Sequence, residues 1–279
     1  MLDLERPSIG PMILLLAIVS LAVYSFTIAP YGIQTTENAF DLGLARDGHA
    51  PLRIVLISDI HDSYRNNGYM ERVIAMVNGQ HPDIILIAGD SVEADMGDLH
   101  ELDVLSALNS SYGTYAVLGN HDYGVFWSDY PFADKVERKM ESLGIKVLRN
   151  ENVNLTFGSD DKSSIALVGV DDHWAHRSDF EGSLAGIPKN ASKIILVHDQ
   201  TAIDRNLLEG KNLVLSGHTH CGQVRIPIVT DLVLRALGFG DLVGGRKDLS
   251  PDDSLYITCG IVPGGVRFLA PPEITVIDL

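Results

Sequence analysis

The sequence predicts an α/β domain behind a single apolar helix at the N-terminus. Three observations lead there: short Ile- and Val-rich runs recur along the chain, amphipathic stretches lie between several of them, and one uncharged run stands near the start. With 279 residues, 46% of them hydrophobic and 21% charged, the chain is long enough for one large domain with a buried core.

The first element is the uncharged run. Met12 to Ala29 reads MILLLAIVSLAVYSFTIA between Pro11 and Pro30, and about 18 residues just reach the length a bilayer requires. We read it as one membrane span. A cleaved signal peptide is the main rival, but the preceding MLDLER stretch has no clear basic n-region and no A-x-A site follows. A core helix fits less well, because the run is apolar on all faces. Arg6 stands before it and Arg46 after it, so charge asymmetry sets no orientation. The expected division is a tail over 1–11, an anchor over 12–30 in the cell (inner) membrane, a polar connector over 31–51 and a folded domain over 52–279.

From Leu52 the chain alternates. Apolar runs at 53–58, 83–89, 114–119, 164–170, 193–197 and 212–217 read as buried strands, and 254–258 and 273–277 close the domain. Tyr69 to Val77, Leu99 to Leu108 and Phe132 to Leu143 read as amphipathic helices, the last with Phe132, Val136, Met140 and Leu143 on one face. Gly238 to Gly245 and Pro263 to Gly265 mark loops.

Charge narrows the function. A formal net charge of -16 argues against sequence-independent nucleic-acid binding, which draws its affinity from Lys and Arg, and no sequence-specific nucleic-acid role is expected. A phosphate-bearing substrate must then be attracted locally, and bound divalent cations would do that. Cys221 and Cys259 give no disulfide framework and no CxxC pair, which leaves the redox compartment open; Cys221, inside the His-rich motif, is read as a small residue packed near the site, with contact to the metal shell as the alternative.

Polar residues fall where the strands end. The runs finish in Asp59-Ile60-His61, Asp90, Asn120-His121-Asp122, His198, and His218-Thr219-His220. In α/β sheets ligands bind at the carboxyl edge, so these side chains are expected to meet on one rim. One Asp after a strand is usually a cap and one His usually structural; five strand ends in a row offering metal donors are hard to obtain that way. Carboxylate, imidazole and amide oxygen suit Mn²⁺ foremost, with Fe or Zn²⁺ as alternatives, and Asp90 has lone pairs enough to bridge two ions. Gly89, Gly119 and Gly217 each precede one of these residues and allow close backbone approach.

Ser58-Asp59-Ile60-His61, Gly89-Asp90, Gly119-Asn120-His121-Asp122, Val197-His198-Asp199 and Gly217-His218-Thr219-His220 together resemble the calcineurin-like metallophosphoesterases, from about Arg53 to His220. Gly265-Val266-Arg267-Phe268, Pro271-Pro272-Glu273-Ile274 and Ile28-Ala29-Pro30-Tyr31 look like a membrane-associated bacterial branch. The resemblance implies a four-layer αββα sandwich with two central mixed β-sheets, and two divalent ions per chain. It implies Asp59, His61 and His220 on one ion, Asn120, His198 and His218 on the other, and Asp90 between them. It also implies His121 as general acid or transition-state stabiliser, positioned by Asp122. Cys221 stands where a glycine is common, and Asp62-Ser63 where leucine and glycine are usual; neither removes a ligand.

Two cations flanking a water would supply a bridging hydroxide near neutral pH, and protonated His121 would relieve the leaving group. Arg267 is a candidate for gripping substrate phosphate, with a surface salt bridge as the bland alternative. His173, with Trp174 and His176, is a candidate for lining the pocket. The expected activity is a phosphoesterase acting on a small molecule or lipid bearing a phosphate. A lipid-precursor pyrophosphatase such as UDP-2,3-diacylglucosamine hydrolase is the alternative, and a metal-free scaffold of the same fold the third reading. Natural substrate, metal identity and oligomeric state are not set by the sequence.

Overall fold

The computed structural model describes residues 9–44, 51–61, 68–94, 99–157, 163–226, 228–236, 242–262 and 265–279. Arg6, Arg46, Asp62, Ser63, Gly238, Gly240, Pro263 and Gly264, on which parts of the sequence reading fall, lie outside them.

The chain folds into two six-stranded sheets packed face to face. The first contains β1 (Gln34–Ala39), β2 (Arg53–Ile57), β3 (Ile84–Ala88), β4 (Thr114–Val117), β5 (Ile145–Val147) and β12 (Glu273–Asp278), in the order β1-β12-β2-β3-β4-β5. The second contains β6 (Glu151–Phe157), β7 (Ser163–Gly169), β8 (Lys193–Leu196), β9 (Asn212–Ser216), β10 (Gly245–Asp248) and β11 (Asp253–Ile257), in the order β10-β11-β9-β8-β7-β6. Both are mixed: β2, β3, β4 and β5 run parallel while β12 runs antiparallel to β2, and β11, β9, β8 and β7 run parallel while β10 and β6 are antiparallel edges.

The period of two along each strand divides the core into layers. Ile54, Leu56, Ile84 and Leu86 face Leu167, Ile194, Leu196, Leu213 and Leu215 between the sheets. Val55, Ile57, Ile85 and Ile87 point the other way, against Met70, Val73, Ile74 and Val77 of α2 (Tyr69–Asn78) and Val136 and Met140 of α3 (Tyr130–Ser142). On the far side, Val168, Ile195, Val214 and Ile257 are covered by Phe180 of α4 (Phe180–Ser183) and by Leu207 of a tight turn. Helices thus flank both sheets, and the outer layer on the second sheet is the thinner one.

Two elements differ from the sequence reading. The stretch at Leu99 to Leu108 is a 3-10 helix, His100–Ala107, which suits its buried Leu102 and Leu105, three residues apart. The polar connector contributes β1, which extends the first sheet by pairing parallel to β12 from Gln34↔Glu273 to Ala39↔Asp278. It reads as linker because an exposed edge strand needs no apolar face.

The apolar run forms α1 (Ile9–Val23), continued through a wide turn at Tyr24–Ile28 and a tight one at Ala29–Tyr31. Its side chains are exposed all round except at Ser25, Ala29 and Pro30, where the helix meets the domain. Two bonds fix that junction: Arg267 N–H donates to Ser25 O at 2.9 Å, and Arg72 Nη2 donates to Tyr31 O at 2.7 Å.

Candidate metal centre

All seven residues expected as ligands leave the carboxyl ends of β2, β3, β4, β8 and β9 at one rim. The two sheets are stitched there, because the His218 N–H donates to both oxygens of Asp59 at 3.1 Å. Asp59, His61, Asp90, His218 and His220 all have φ between 41° and 67°. Non-glycine residues seldom adopt that left-handed region, and such backbone clusters at functional sites. Room for these turns comes from neighbouring glycines. A Cβ on Gly217 would collide with Ser58 and the Asp59 carboxylate, and one on Gly119 with Asp90 and His198.

Four donor atoms converge on the His198 side. The Nδ1 of His198 lies 2.8 Å from Ala88 O and must donate to it, which leaves a lone pair on Nε2. That Nε2 faces Asn120 Oδ1, Asp90 Oδ2 and His218 Nδ1, each at 3.2 Å. A second group forms on the other side of Asp90, where His220 Nε2 lies 3.3 Å from Asp59 Oδ1 and His61 Nε2 lies 3.4 Å from Asp90 Oδ2. Asp90 Oδ2 is therefore common to both. Donors about 2.1 Å from one cation lie roughly 3.0–3.4 Å apart at tetrahedral or octahedral angles, so these spacings fit a metal shell. His61 Nε2, the nitrogen that faces Asp90, is also buried without a hydrogen-bond partner of good geometry, as a metal-ready nitrogen would be.

The electrostatics match. Burial alone would raise the Asp59 and Asp90 carboxyls, but His220 beside the first and His198 beside the second hold both well below the usual carboxylate range. Burial would lower His198, and the facing Asp90 instead raises it. Burial, then the neighbouring His198, lowers His218 toward the neutral form that binds a cation. These carboxylates stay ionised in a buried rim, which requires positive charge among them.

Around the donors, some expected roles move. Asp122 does not face the His121 ring: its Oδ1 accepts from Ser91 N at 2.9 Å and Val92 N at 3.1 Å, and its Oδ2 from Gly119 N at 2.9 Å. It clamps the loop after β3 to the loop after β4, and burial pushes its carboxyl up to about 7. The residue that holds His121 is Glu93, with Oε1 3.0 Å from His121 Nδ1 and Oε2 3.2 Å from His61 Nδ1. Sequence reading passed over Glu93 because it lies five residues beyond the end of β3.

Arg267 is fully buried and donates to Cys259 O at 3.2 Å and Ala270 O at 3.0 Å, so its guanidinium grips backbone rather than a surface acid. His173 is exposed and lies 3.4 Å from Ser178 Oγ, away from the donors. Its neighbour Trp174 does reach the site. Trp174 stacks on His218 with centroids 5.9 Å apart and donates from Nε1 to Asp199 Oδ2 at 2.6 Å, while Trp127 packs edge-on against it. Cys221 is not a solitary small residue: it forms a disulfide with Cys259, 38 positions away.

Comparison with known proteins agrees with this geometry. The calcineurin-like phosphoesterase profile matches residues 52–222. The chain is 30% identical to the uncharacterized metallophosphoesterase YkuE of Bacillus subtilis (strain 168), covering 92% of this chain and 88% of that one. It is 31% identical to an uncharacterized metallophosphoesterase of Campylobacter jejuni, covering 82% of this chain and 59% of the relative. It is 29% identical to the transmembrane protein with metallophosphoesterase domain of Danio rerio, covering 93% and 60%. The chain thus spans about three fifths of the last two. Among solved structures, the phosphopantetheinyl hydrolase of Mycobacterium tuberculosis superposes with a TM-score of 0.47 at 12% identity, over 77% of this chain and 90% of that one. The chain belongs to the calcineurin-like phosphoesterase family and is a metal-dependent phosphoric ester hydrolase.

Proposed function

We propose that this phosphoesterase is a single-pass, membrane-anchored enzyme that hydrolyses a phosphate ester or anhydride at a dinuclear site. Asp59, His61 and His220 would hold one divalent ion, Asn120, His198 and His218 the other, and Asp90 both. The observation that carries this reading is His198: with Nδ1 tied to Ala88 O, its Nε2 lone pair faces three further donor atoms at 3.2 Å. Unprotonated donor atoms this close repel one another, and a shared cation would relieve that repulsion. When bound, such ions lower the pKa of a water and offset charge on the phosphoryl oxygens.

The chain's own groups supply the rest. Glu93 holds His121 by Nδ1, leaving the other ring nitrogen to donate a proton to the leaving oxygen. Trp174, fixed by Asp199 and stacked on His218, walls one side of the mouth. Asp122 keeps the His121 loop in register with Asp90. The anchor in this reading is Ile9–Tyr31, a helix of 23 residues with mean hydropathy 2.4. The catalytic domain then begins at β1 rather than at residue 52, because β1 belongs to the first sheet. All seven ligand positions are filled, which disfavours a metal-free scaffold.

The test is hydrolysis of an aryl phosphodiester and an aryl phosphomonoester by the full chain in detergent with Mn²⁺. Exhaustive chelation and Asp90→Asn should each lower the rate on the order of a thousandfold, the scale of several kcal/mol of charge stabilisation. Near wild-type rates in the chelated enzyme, or in a folded Asp90→Asn, would remove the dinuclear reading.

A further inference from the structure

Nine residues after His220 the chain forms α5 (Val229–Ala236), an amphipathic helix. Thr230 ties its first turn to the chain before it: Thr230 Oγ1 donates to Val224 O and accepts from Ile226 N, both at 2.8 Å. The apolar side chains of Ile228, Val229, Leu232 and Val233 are 73%, 52%, 60% and 51% exposed. A helix in water buries such a stripe, and an uncovered one marks a contact with an apolar phase or partner.

The occupant follows from where the stripe is fastened. The segment leading into α5 is bonded to the loop at 265–270, through Arg225 N to Phe268 O at 2.8 Å and Phe268 N to Gln223 O at 2.9 Å. One residue earlier, Arg267 N is bonded to Ser25 O at the domain end of the apolar N-terminal helix. Exposed Leu269 stands beside that junction, as do Phe26 and Ile28 of the helix itself. The apolar face of α5 and the end of the candidate span thus leave the domain from one hydrogen-bonded corner. A bilayer crossed by Ile9–Tyr31 meets the domain at that corner.

We propose that α5 is a second membrane contact, lying in the interfacial layer with Ile228, Val229, Leu232 and Val233 among the lipid chains. The inference rests on reading Ile9–Tyr31 as a span. It holds the domain against the bilayer through the same loop that carries His220, so the metal centre opens beside the headgroups.

The test uses the full chain in nanodiscs of phosphatidylcholine and phosphatidylglycerol, with a nitroxide at L232C or V233C and a control at K189C. Both α5 labels should be open to oxygen and closed to a water-soluble nickel chelate, with the reverse at K189C. Nickel access at α5 equal to the control overturns the proposal. So does protection that appears without lipid and grows with protein concentration, which would mark a second copy as the occupant. Loss of the full chain from membranes on alkaline washing is a separate result and sinks the span itself.

A different observation fixes the side of the membrane. Cys221 and Cys259 are joined, with Cα atoms 4.7 Å apart. The two sulfurs and Glu273 would otherwise be three donors for a cation. However, Glu273 Oε1 accepts from Thr36 and Tyr256 and its Oε2 from Cys259 N, so the carboxylate is already engaged. Disulfides persist in oxidising compartments and are reduced in the cytosol. We infer that the catalytic domain lies outside the cytoplasm, with the N-terminal end of the span inside. In intact cells quenched with acid and denatured, a maleimide-polymer should add to neither cysteine, and to both after a membrane-impermeant reductant is applied beforehand. Two adducts without reductant, or adducts only with a permeant one, overturn it.

Discussion

The two halves of the candidate metal centre are held by different means. Asp59, Asp90 and His198 are essentially inaccessible and follow directly on central strands, so sheet register places them. His220 stands on a loop with left-handed backbone at His220, Cys221 and Gln223. That loop is fastened by Thr219 Oγ1 to Val243 O, by Gln223 O to Phe268 N and by the Cys221–Cys259 disulfide. One half is a product of secondary structure and the other of tertiary ties. Damage should therefore be abrupt on the first side and graded on the second.

Glu93 offers the sharper break of the two. It belongs to the strand-rooted half, and its two oxygens reach the Nδ1 atoms of two imidazoles, one a candidate ligand and one the candidate acid. Glu93→Gln keeps the shape but leaves one oxygen, so it cannot accept from both rings. Outer partners of metal ligands are worth about 10–100-fold in affinity or activity, and kcat/KM on the aryl phosphodiester should fall by that amount. A conserved rate with unchanged Mn²⁺ affinity would show that the ring orientations are set by packing alone.

The same division explains what could be read in advance. The buried strands β2, β3, β4, β8 and β9 were legible because residues covered on both faces form unbroken apolar runs. Their ends were legible with them, and with those the seven candidate donors that the structure brings to one rim. β1 and β10 were not, since exposed edges such as Gln34–Ala39 and Gly245–Asp248 carry polar residues that any loop could carry. Glu93 and the disulfide escaped for a related reason: each acts across a tertiary contact that no local period reports. Arg267 shows a further limit of the sequence. An arginine near a presumed phosphate site suggests a phosphate fork, yet here its partners are the Cys259 and Ala270 carbonyls, and carbonyl placement leaves no mark in a sequence.

The smallest effect on turnover is expected from Cys221→Ser with Cys259→Ser. The bridge closes a loop of 38 positions, and removing such a link costs about 2–4 kcal/mol of stability in chain-entropy terms. Thermal unfolding of the full chain in detergent should shift downward accordingly. Turnover at saturating Mn²⁺ should stay within a few-fold of wild type, because strand-rooted Asp59, Asp90 and His198 do not depend on the bridge. Metal affinity should change more than turnover, since freeing Cys221 loosens His220, and freeing Cys259 loosens Gly260, which packs against the Asp59 side chain. The half-saturating Mn²⁺ concentration is therefore the discriminating measurement. If it rises while the saturated rate holds, the bridge positions one ligand; if neither it nor the unfolding midpoint moves, Thr219 and Gln223 alone suffice to hold the loop.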